Sequence, residues 1–123
     1  MIQVISAPEH VAAFHLAGTV TADDYDKIIP EVEEKLQNHE DIGILADLTG
    51  LEDMTGGALA RDFQYGLGKL GEMHRFKRAA VISDKQWIKA ATEIADKVFP
   101  QVEARVFQKD EKDQAMRWVS DIH

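Results

Sequence analysis

Residues 44–58 read ILADLTGLEDMTGGA, and this stretch determines how the rest of the chain can be arranged. The apolar run over residues 42–48 carries Asp47 near its end, which is the pattern of a strand buried on both faces. A polar segment follows, and residues 55–57 then open a segment whose apolar positions keep helical spacing. We therefore expect a buried strand that ends at residue 48, a surface loop, and a helix that begins near Gly56.

The segments before this stretch predict a hairpin and a helix. Residues 2–4 and 11–16 have the pattern of two short strands joined by a tight turn, and Gly18 closes the second strand. Thr21 then stands at the N-cap position of a helix. Because proline removes a backbone donor and clashes with the preceding turn, Pro30 predicts either a kink or two abutting helices.

The segments after it continue the alternation. We expect a helix over residues 58–73, a strand over residues 76–83, a helix stopped by Pro100, a strand over residues 102–107 and a last helix. The order β-β-α-β-α-β-α-β-α implies a mainly parallel sheet with right-handed crossovers. We predict one α/β domain over residues 1–123, with five strands, an antiparallel N-terminal hairpin and four helices.

The composition excludes several classes of function. The 123 residues include no cysteine, so disulfides, zinc–thiolate sites and cysteine nucleophiles are excluded. The net charge of −8 opposes nucleic-acid binding, although residues 61–78 carry five bases against two acids. No signal peptide or membrane-spanning run is apparent, and the five histidines lack metal-ligand spacing. We expect a cytoplasmic protein without metal, cofactor or nucleic-acid partner, and not an integral membrane protein.

Four short segments carry a resemblance to a known family. Asp47-Leu48 closes the third strand pattern, and the other segments read AVISDKQW (residues 80–87), EARVF (residues 103–107) and AMRW (residues 115–118). With the element order, they resemble STAS domains, the fold of anti-sigma-factor antagonists. The chain looks closest to the SpoIIAA-like group of mostly uncharacterised bacterial proteins, which is also likened to CRAL-TRIO lipid carriers. The resemblance spans nearly the whole chain and implies a regulatory or binding module rather than an enzyme.

The STAS signature also implies a regulatory position. In STAS regulators an Asp-Ser pair and a nearby glycine precede the helix, and a partner kinase phosphorylates that serine. Asp47 and Leu48 match the start of the signature, but Thr55 and Gly56 stand where the pair would be. A slip of one residue would place Thr55 at the acceptor position.

The stretch also predicts a docking site. In open α/β sheets, ligands and partners bind at the carboxyl edge of the strands, and unpaired N–H groups at a helix start suit an anion. We expect residues 48–58 to bind a protein partner or a small anionic or amphipathic ligand; for Thr55 the alternative is a plain helix cap. The residues expected to contribute are Thr49, Asp53, Met54, Thr55, Gly56, Gly57 and Trp87.

Two other binding hypotheses stay open. The first is a lipid or hydrophobic-ligand carrier, whose pocket would be bordered by an apolar stripe, although apolar residues at this helical spacing more often pack in the core. That stripe comprises Met54, Phe63, Leu67 and Met73. The second is a homodimer formed through the helix over residues 58–73 and the exposed edge of the sheet.

The remaining hypothesis is a small enzyme that uses Asp47 or Asp53 with His74, because a carboxylate and an imidazole can share acid–base chemistry. It requires those side chains to reach one substrate. Elsewhere, His15 lies in the middle of a predicted strand among apolar neighbours. We expect it to be a partly buried, hydrogen-bonded residue.

Overall fold

A computed structural model describes residues 1–98 and 100–122. Five strands form one sheet in the order β1-β2-β3-β4-β5, in which β1 is antiparallel to β2 and all other neighbours are parallel. The elements are β1 (Ile2–Val4), β2 (Val11–Val20), α1 (Ala22–Tyr25), α2 (Ile28–Asn38), β3 (Ile42–Met54), α3 (Gly56–Gly68), a 3-10 helix (Leu70–Arg75), β4 (Phe76–Ile82), α4 (Gln86–Val98), β5 (Glu103–Phe107) and α5 (Lys112–Ser120). The predicted α/β class, element order and N-terminal hairpin are confirmed.

The two faces of the sheet are covered by different helices. Alternate residues of a strand point to opposite faces, so Phe14 of β2 packs with residues of α2, α3 and α4, whereas Ala13 packs with α5. Gly43 of β3 faces α5, where an added Cβ would lie 2.6 Å from the carbonyl oxygen of Val119. Glycine at this position therefore allows α5 to lie close against the sheet.

The first predicted helix is divided as Pro30 indicated. Thr21 and Asp24 form a capping box around α1, and Pro30 is the third residue of α2, where its missing N–H has no partner within the helix. The break falls between Tyr25 and Ile28. Of the two expected outcomes, a kink and two abutting helices, the structure has the second.

The expected end of the third strand is wrong. β3 does not stop at Leu48 but continues to Met54, so no surface loop separates the strand from the helix. Asp53 and Met54 pair with Thr19 and Val20 of β2. Only Thr55 lies between β3 and α3.

The longer β3 depends on a longer β2. Gly18, which was expected to close that strand, lies inside it at a φ of 68°, a conformation that glycine adopts without steric penalty. Register shifts on either side of Gly18 leave unpaired residues in β3 and let the pairing continue. Leu51, expected in a loop, is 2% exposed and packs in the core. The segment is therefore a strand despite its polar composition, because burial of Leu51 and hydrogen bonds to β2 stabilise the extended conformation.

Arg75 supplies hydrogen bonds to the backbone at the C-terminal end of α2. Its guanidinium donates hydrogen bonds to the carbonyl oxygens of Leu36, His39 (2.9 Å) and Glu40 (2.8 Å). It also pairs with Glu72 at 2.7 Å. Because the last carbonyls of a helix lack partners within it, one side chain here supplies hydrogen bonds that the backbone does not.

We predict that Arg75→Ala lowers the free energy of unfolding by about 2–3 kcal/mol, since it leaves several carbonyl oxygens without their charged donor. Urea denaturation monitored by circular dichroism measures this. Arg61→Ala is the control, because Arg61 is 47% exposed and its ion-pair partner among the described residues is Asp26, an exposed pair that contributes about 1 kcal/mol or less. Equal effects of the two substitutions would contradict the assignment.

Candidate functional site

The carboxyl end of β3 projects past its neighbour β4. Pairing between these two strands ends at Asp47 and Ile82, whereas β3 stays paired with β2 as far as Met54. The ammonium of Lys85 donates to the carbonyl oxygens of Leu51 and Glu52 in this projecting part. These bonds hold the segment that leads into α4 against the end of β3.

The start of α3 is built as a simple helix cap. The hydroxyl of Thr55 accepts a hydrogen bond from the N–H of Ala58 at 3.1 Å. Gly56 and Gly57 are both exposed. Among residues 1–98 and 100–122 that the structure describes, an added Cβ at Gly56 would meet nothing within 4 Å, whereas one at Gly57 would touch Ala22 at 3.4 Å. The plain helix cap, which was the alternative interpretation of Thr55, is therefore present beside two exposed glycines.

The other predicted contact residues differ in their surroundings. Thr49 is exposed, but its hydroxyl already donates to Asp47 at 2.7 Å. Asp53 is exposed and accepts a hydrogen bond from the adjacent N–H of Met54. Met54 is partly buried and packs against the core. Trp87, in the first turn of α4, is 45% exposed.

A second group of polar residues lies on the face of the sheet that α5 covers. Asp47 is only 4% exposed, and its Oδ1 accepts bonds from the N–H and the hydroxyl of Thr49, at 3.1 and 2.7 Å. Its Oδ2 lies 3.2 Å from Nδ1 of His15 and 3.0 Å from Nζ of Lys112. The buried carboxylate thus joins β2, β3 and the first residue of α5.

The sequence interpretation considered Asp47 and His15 separately and missed Lys112. His15 and Asp47 are direct partners in the parallel pairing of β2 with β3. The available signal was that both residues follow apolar runs in neighbouring strands, but the register could not be read from the sequence. The expectation that His15 is partly buried is confirmed by its side-chain exposure of 28%.

The pKa of Asp47 lies below its ordinary value of 3.8. Burial acts to raise this pKa, because a carboxylate loses its hydration in the interior. The hydroxyl and the N–H of Thr49, with Lys112 and His15, stabilise the charged form by more than burial destabilises it. Asp47 is therefore a carboxylate that folding holds in its ionised form.

The proposed acid–base set is not brought together. His74 lies in the 3-10 helix just before Phe76, at the opposite end of β4 from Ile82, the partner of Asp47. Six residues of strand separate the two ends, or about 20 Å at the usual rise per residue. Asp53 lies beyond Asp47 along the same strand. The hypothesis of an enzyme that uses Asp47 or Asp53 with His74 is wrong.

Other hypotheses are not tested by this structure. The side chains of Phe63, Leu67 and Met73 lie outside the described part of the chain, so the lipid-carrier and homodimer hypotheses stay predictions. In residues 1–98 and 100–122, no group of three His, Asp or Glu side chains is placed to hold a metal ion. Over the same residues, every helix is too short or too polar to cross a membrane.

Comparisons with known proteins agree with this geometry. The family model described as SpoIIAA-like matches residues 11–120. An uncharacterized protein with a SpoIIAA-like fold from Shewanella loihica is 28% identical with a TM-score of 0.73, and the match covers 97% of this chain and 92% of that chain. The anti-sigma factor antagonist SpoIIAA in its unphosphorylated form has a TM-score of 0.67 at 10% identity, covering 99% and 100%, which shows a common fold. No curated protein gives a significant match.

We predict that Asp47 stabilises the fold in a pH-dependent way. Because its pKa is lowered on folding, its contribution is present above the ordinary value of 3.8 and is lost as the pH falls below that value. Urea unfolding from neutral pH to below 3.8 should show a smaller acid-induced loss for Asp47→Asn than for the unchanged protein. Asp53→Asn, at an exposed carboxylate, is the control and should follow the unchanged protein. Identical pH dependences of all three would contradict the prediction.

Proposed function

Because the family model covers residues 11–120, this chain belongs to the SpoIIAA-like family, and we propose that it is a non-enzymatic regulatory module that docks a protein partner. The SpoIIAA-like fold is consistent with such a module. The proposed docking surface comprises the end of β3, the start of α3 and the first turn of α4. We name it the carboxyl-edge surface; its exposed residues are Glu52, Asp53, Gly56, Gly57 and Trp87.

Gly56 provides the main observation in support. Its φ is not positive, and a Cβ at this position would meet nothing within 4 Å in the described part of the chain, so neither the backbone nor packing against those residues requires glycine. Glycine where alanine would fit lowers stability by about 0.4–1 kcal/mol. A partner whose surface comes close to the backbone of α3 would account for it, since glycine permits close backbone approach.

The charge of the surface favours a protein with basic groups over an anionic ligand. Glu52 and Asp53 are exposed beside the start of α3, and Asp84 is exposed in the segment that Lys85 holds against β3. Like charges repel, so these carboxylates oppose an anion at the same helix start. A partner that presents lysine or arginine would instead be attracted.

Trp87 supplies an apolar anchor beside these charges. At 45% exposure it is among the largest apolar side chains in contact with solvent. Exposed tryptophans contribute strongly to protein–protein contacts, because a large rigid ring buries much apolar area at small entropic cost. The combination of an aromatic anchor, an acidic rim and an open backbone is typical of a protein-docking surface.

We predict that Trp87→Ala weakens binding of the partner about tenfold or more, the effect of removing an interface anchor worth about 2 kcal/mol. Partners are captured from a lysate of the source organism on the immobilised protein, identified by mass spectrometry, and titrated by calorimetry. Ile94→Ala is the matched control, because Ile94 is 64% exposed and lies about two turns further along α4. A partner retained equally by both variants would place docking elsewhere.

A second prediction separates stability from docking at Gly56. Gly56→Ala should raise the free energy of unfolding by about 0.4–1 kcal/mol, because alanine reduces the entropy of the unfolded chain without a steric clash. The same variant should bind the partner more weakly. Thermal unfolding and calorimetry measure the two effects. A thermal shift with an anionic or lipid-like ligand, with no loss of that ligand in Trp87→Ala, would favour the small-ligand hypothesis over protein docking.

A further inference from the structure

We propose that His15 is a modification site, an imidazole whose Nε2 accepts a phosphoryl group from an activated donor of the phosphoramidate class. The site lies on the face covered by α5, and is independent of the carboxyl-edge surface. It consists of His15, Asp47, Lys112 and the space left by Gly50.

Asp47 orients the imidazole. A carboxylate only accepts hydrogen bonds, so its oxygen 3.2 Å from Nδ1 favours the tautomer with the proton on that nitrogen. The lone pair is then on Nε2. This arrangement of a buried carboxylate behind a histidine is the one that orients a histidine for general-base or nucleophilic work.

The reacting nitrogen is not enclosed by the protein. Within residues 1–98 and 100–122, Nε2 of His15 has no hydrogen-bond partner and is not fully buried, and the side chain is 28% exposed. Gly50 leaves space next to it, since an added Cβ there would lie 3.3 Å from Nε2 and 3.2 Å from Cβ of Ala17. The imidazole thus contacts Asp47 through Nδ1, while its Nε2 lies next to the side-chain-free backbone of Gly50.

Lys112 provides the positive charge that a phosphoryl group needs. Its Nζ contacts the same Oδ2 of Asp47 as the His15 ring, and its side chain is 50% exposed. Because Nζ and the His15 ring both contact Oδ2, at 3.0 and 3.2 Å, the ammonium belongs to the same cluster as the imidazole. An ammonium there stabilises the phosphoryl oxygens electrostatically.

The transfer step balances with the groups present. The Nε2 lone pair attacks phosphorus of phosphoramidate in its zwitterionic form, whose nitrogen carries three protons. The new N–P bond to His15 forms as the old P–N bond breaks, and the bonding pair of the old bond leaves with nitrogen as neutral ammonia. Nδ1 keeps its proton, so the phosphorylated ring carries a formal positive charge. The carboxylate of Asp47 stabilises that charge, because opposite charges at this distance attract strongly in a buried setting.

The experiment incubates the intact protein with potassium phosphoramidate and locates phosphohistidine by peptide mass spectrometry under alkaline conditions. The comparison is internal, because His74 is exposed and has no carboxylate partner among the described contacts. We expect His15 to be labelled several-fold faster than His74 although His15 is less exposed. Labelling that follows exposure, with His74 ahead of His15, would overturn the proposal, as would the absence of any label on His15.

Variants separate the parts of the site. Lys112→Gln should slow labelling of His15 several-fold, whereas Lys109→Gln, at an exposed neighbouring lysine, should not. Gly50→Ala should slow it by covering Nε2, and Gly68→Ala is the matched control, because a Cβ there would meet nothing within 4 Å among the described residues. If all four variants label like the unchanged protein, the reactivity does not come from this cluster and the proposal fails.

A spectroscopic measurement tests the role of Asp47 as a positioning residue. Long-range ¹H–¹⁵N spectra of the imidazoles report which ring nitrogen carries the proton. We expect His15 to be held with the proton on Nδ1, and Asp47→Asn to lose this preference while circular dichroism shows a folded protein. A His15 ring with the proton on Nε2 in the unchanged protein would contradict the assignment.

Discussion

The fold depends on how one buried carboxylate is satisfied. Asp47 lies in the central strand at 4% exposure and is contacted by Thr49, His15 and Lys112. A buried charge without partners is strongly destabilising, so these contacts constrain what surrounds it. They fix the position of β2 relative to β3 and tie the first residue of α5 to the sheet. The same carboxylate of β3 therefore contacts both the neighbouring strand β2 and the helix α5 that covers one face of the sheet.

The projecting end of β3 follows from a second constraint, the need of a strand for a partner. β4 ends at Ile82, but β2 continues to Val20, and the irregular register around Gly18 lets both strands extend together. Lys85 supplies hydrogen bonds beyond the end of β4. The result is a hydrogen-bonded strand end in place of the expected surface loop, and precise binding surfaces are built more readily on regular elements than on loops.

The two proposed sites use opposite faces of this sheet. The carboxyl-edge surface belongs to the face of α3 and α4, where Ala58 and Ile88 share one core cluster with Leu51. His15 and Asp47 belong to the face of α5. Partner docking at the carboxyl-edge surface and modification of His15 are separate hypotheses, although β3 contributes residues to both sites.

The sequence by itself determined the α/β class, the order of elements, the break before Pro30, the cap at Thr55 and the partial burial of His15. These features rest on local periodicity, capping and proline geometry, which neighbouring residues decide. Only the tertiary structure decided the length of β3 and the contact of Asp47 with His15 and Lys112. It also decided the separation of His74 from the carboxylates of Asp47 and Asp53. Pairing with β2 supplied partners for Gly50, Leu51, Asp53 and Met54, which local polarity did not predict. Register and helix placement are set by contacts between distant segments, and no pattern within either segment encodes them.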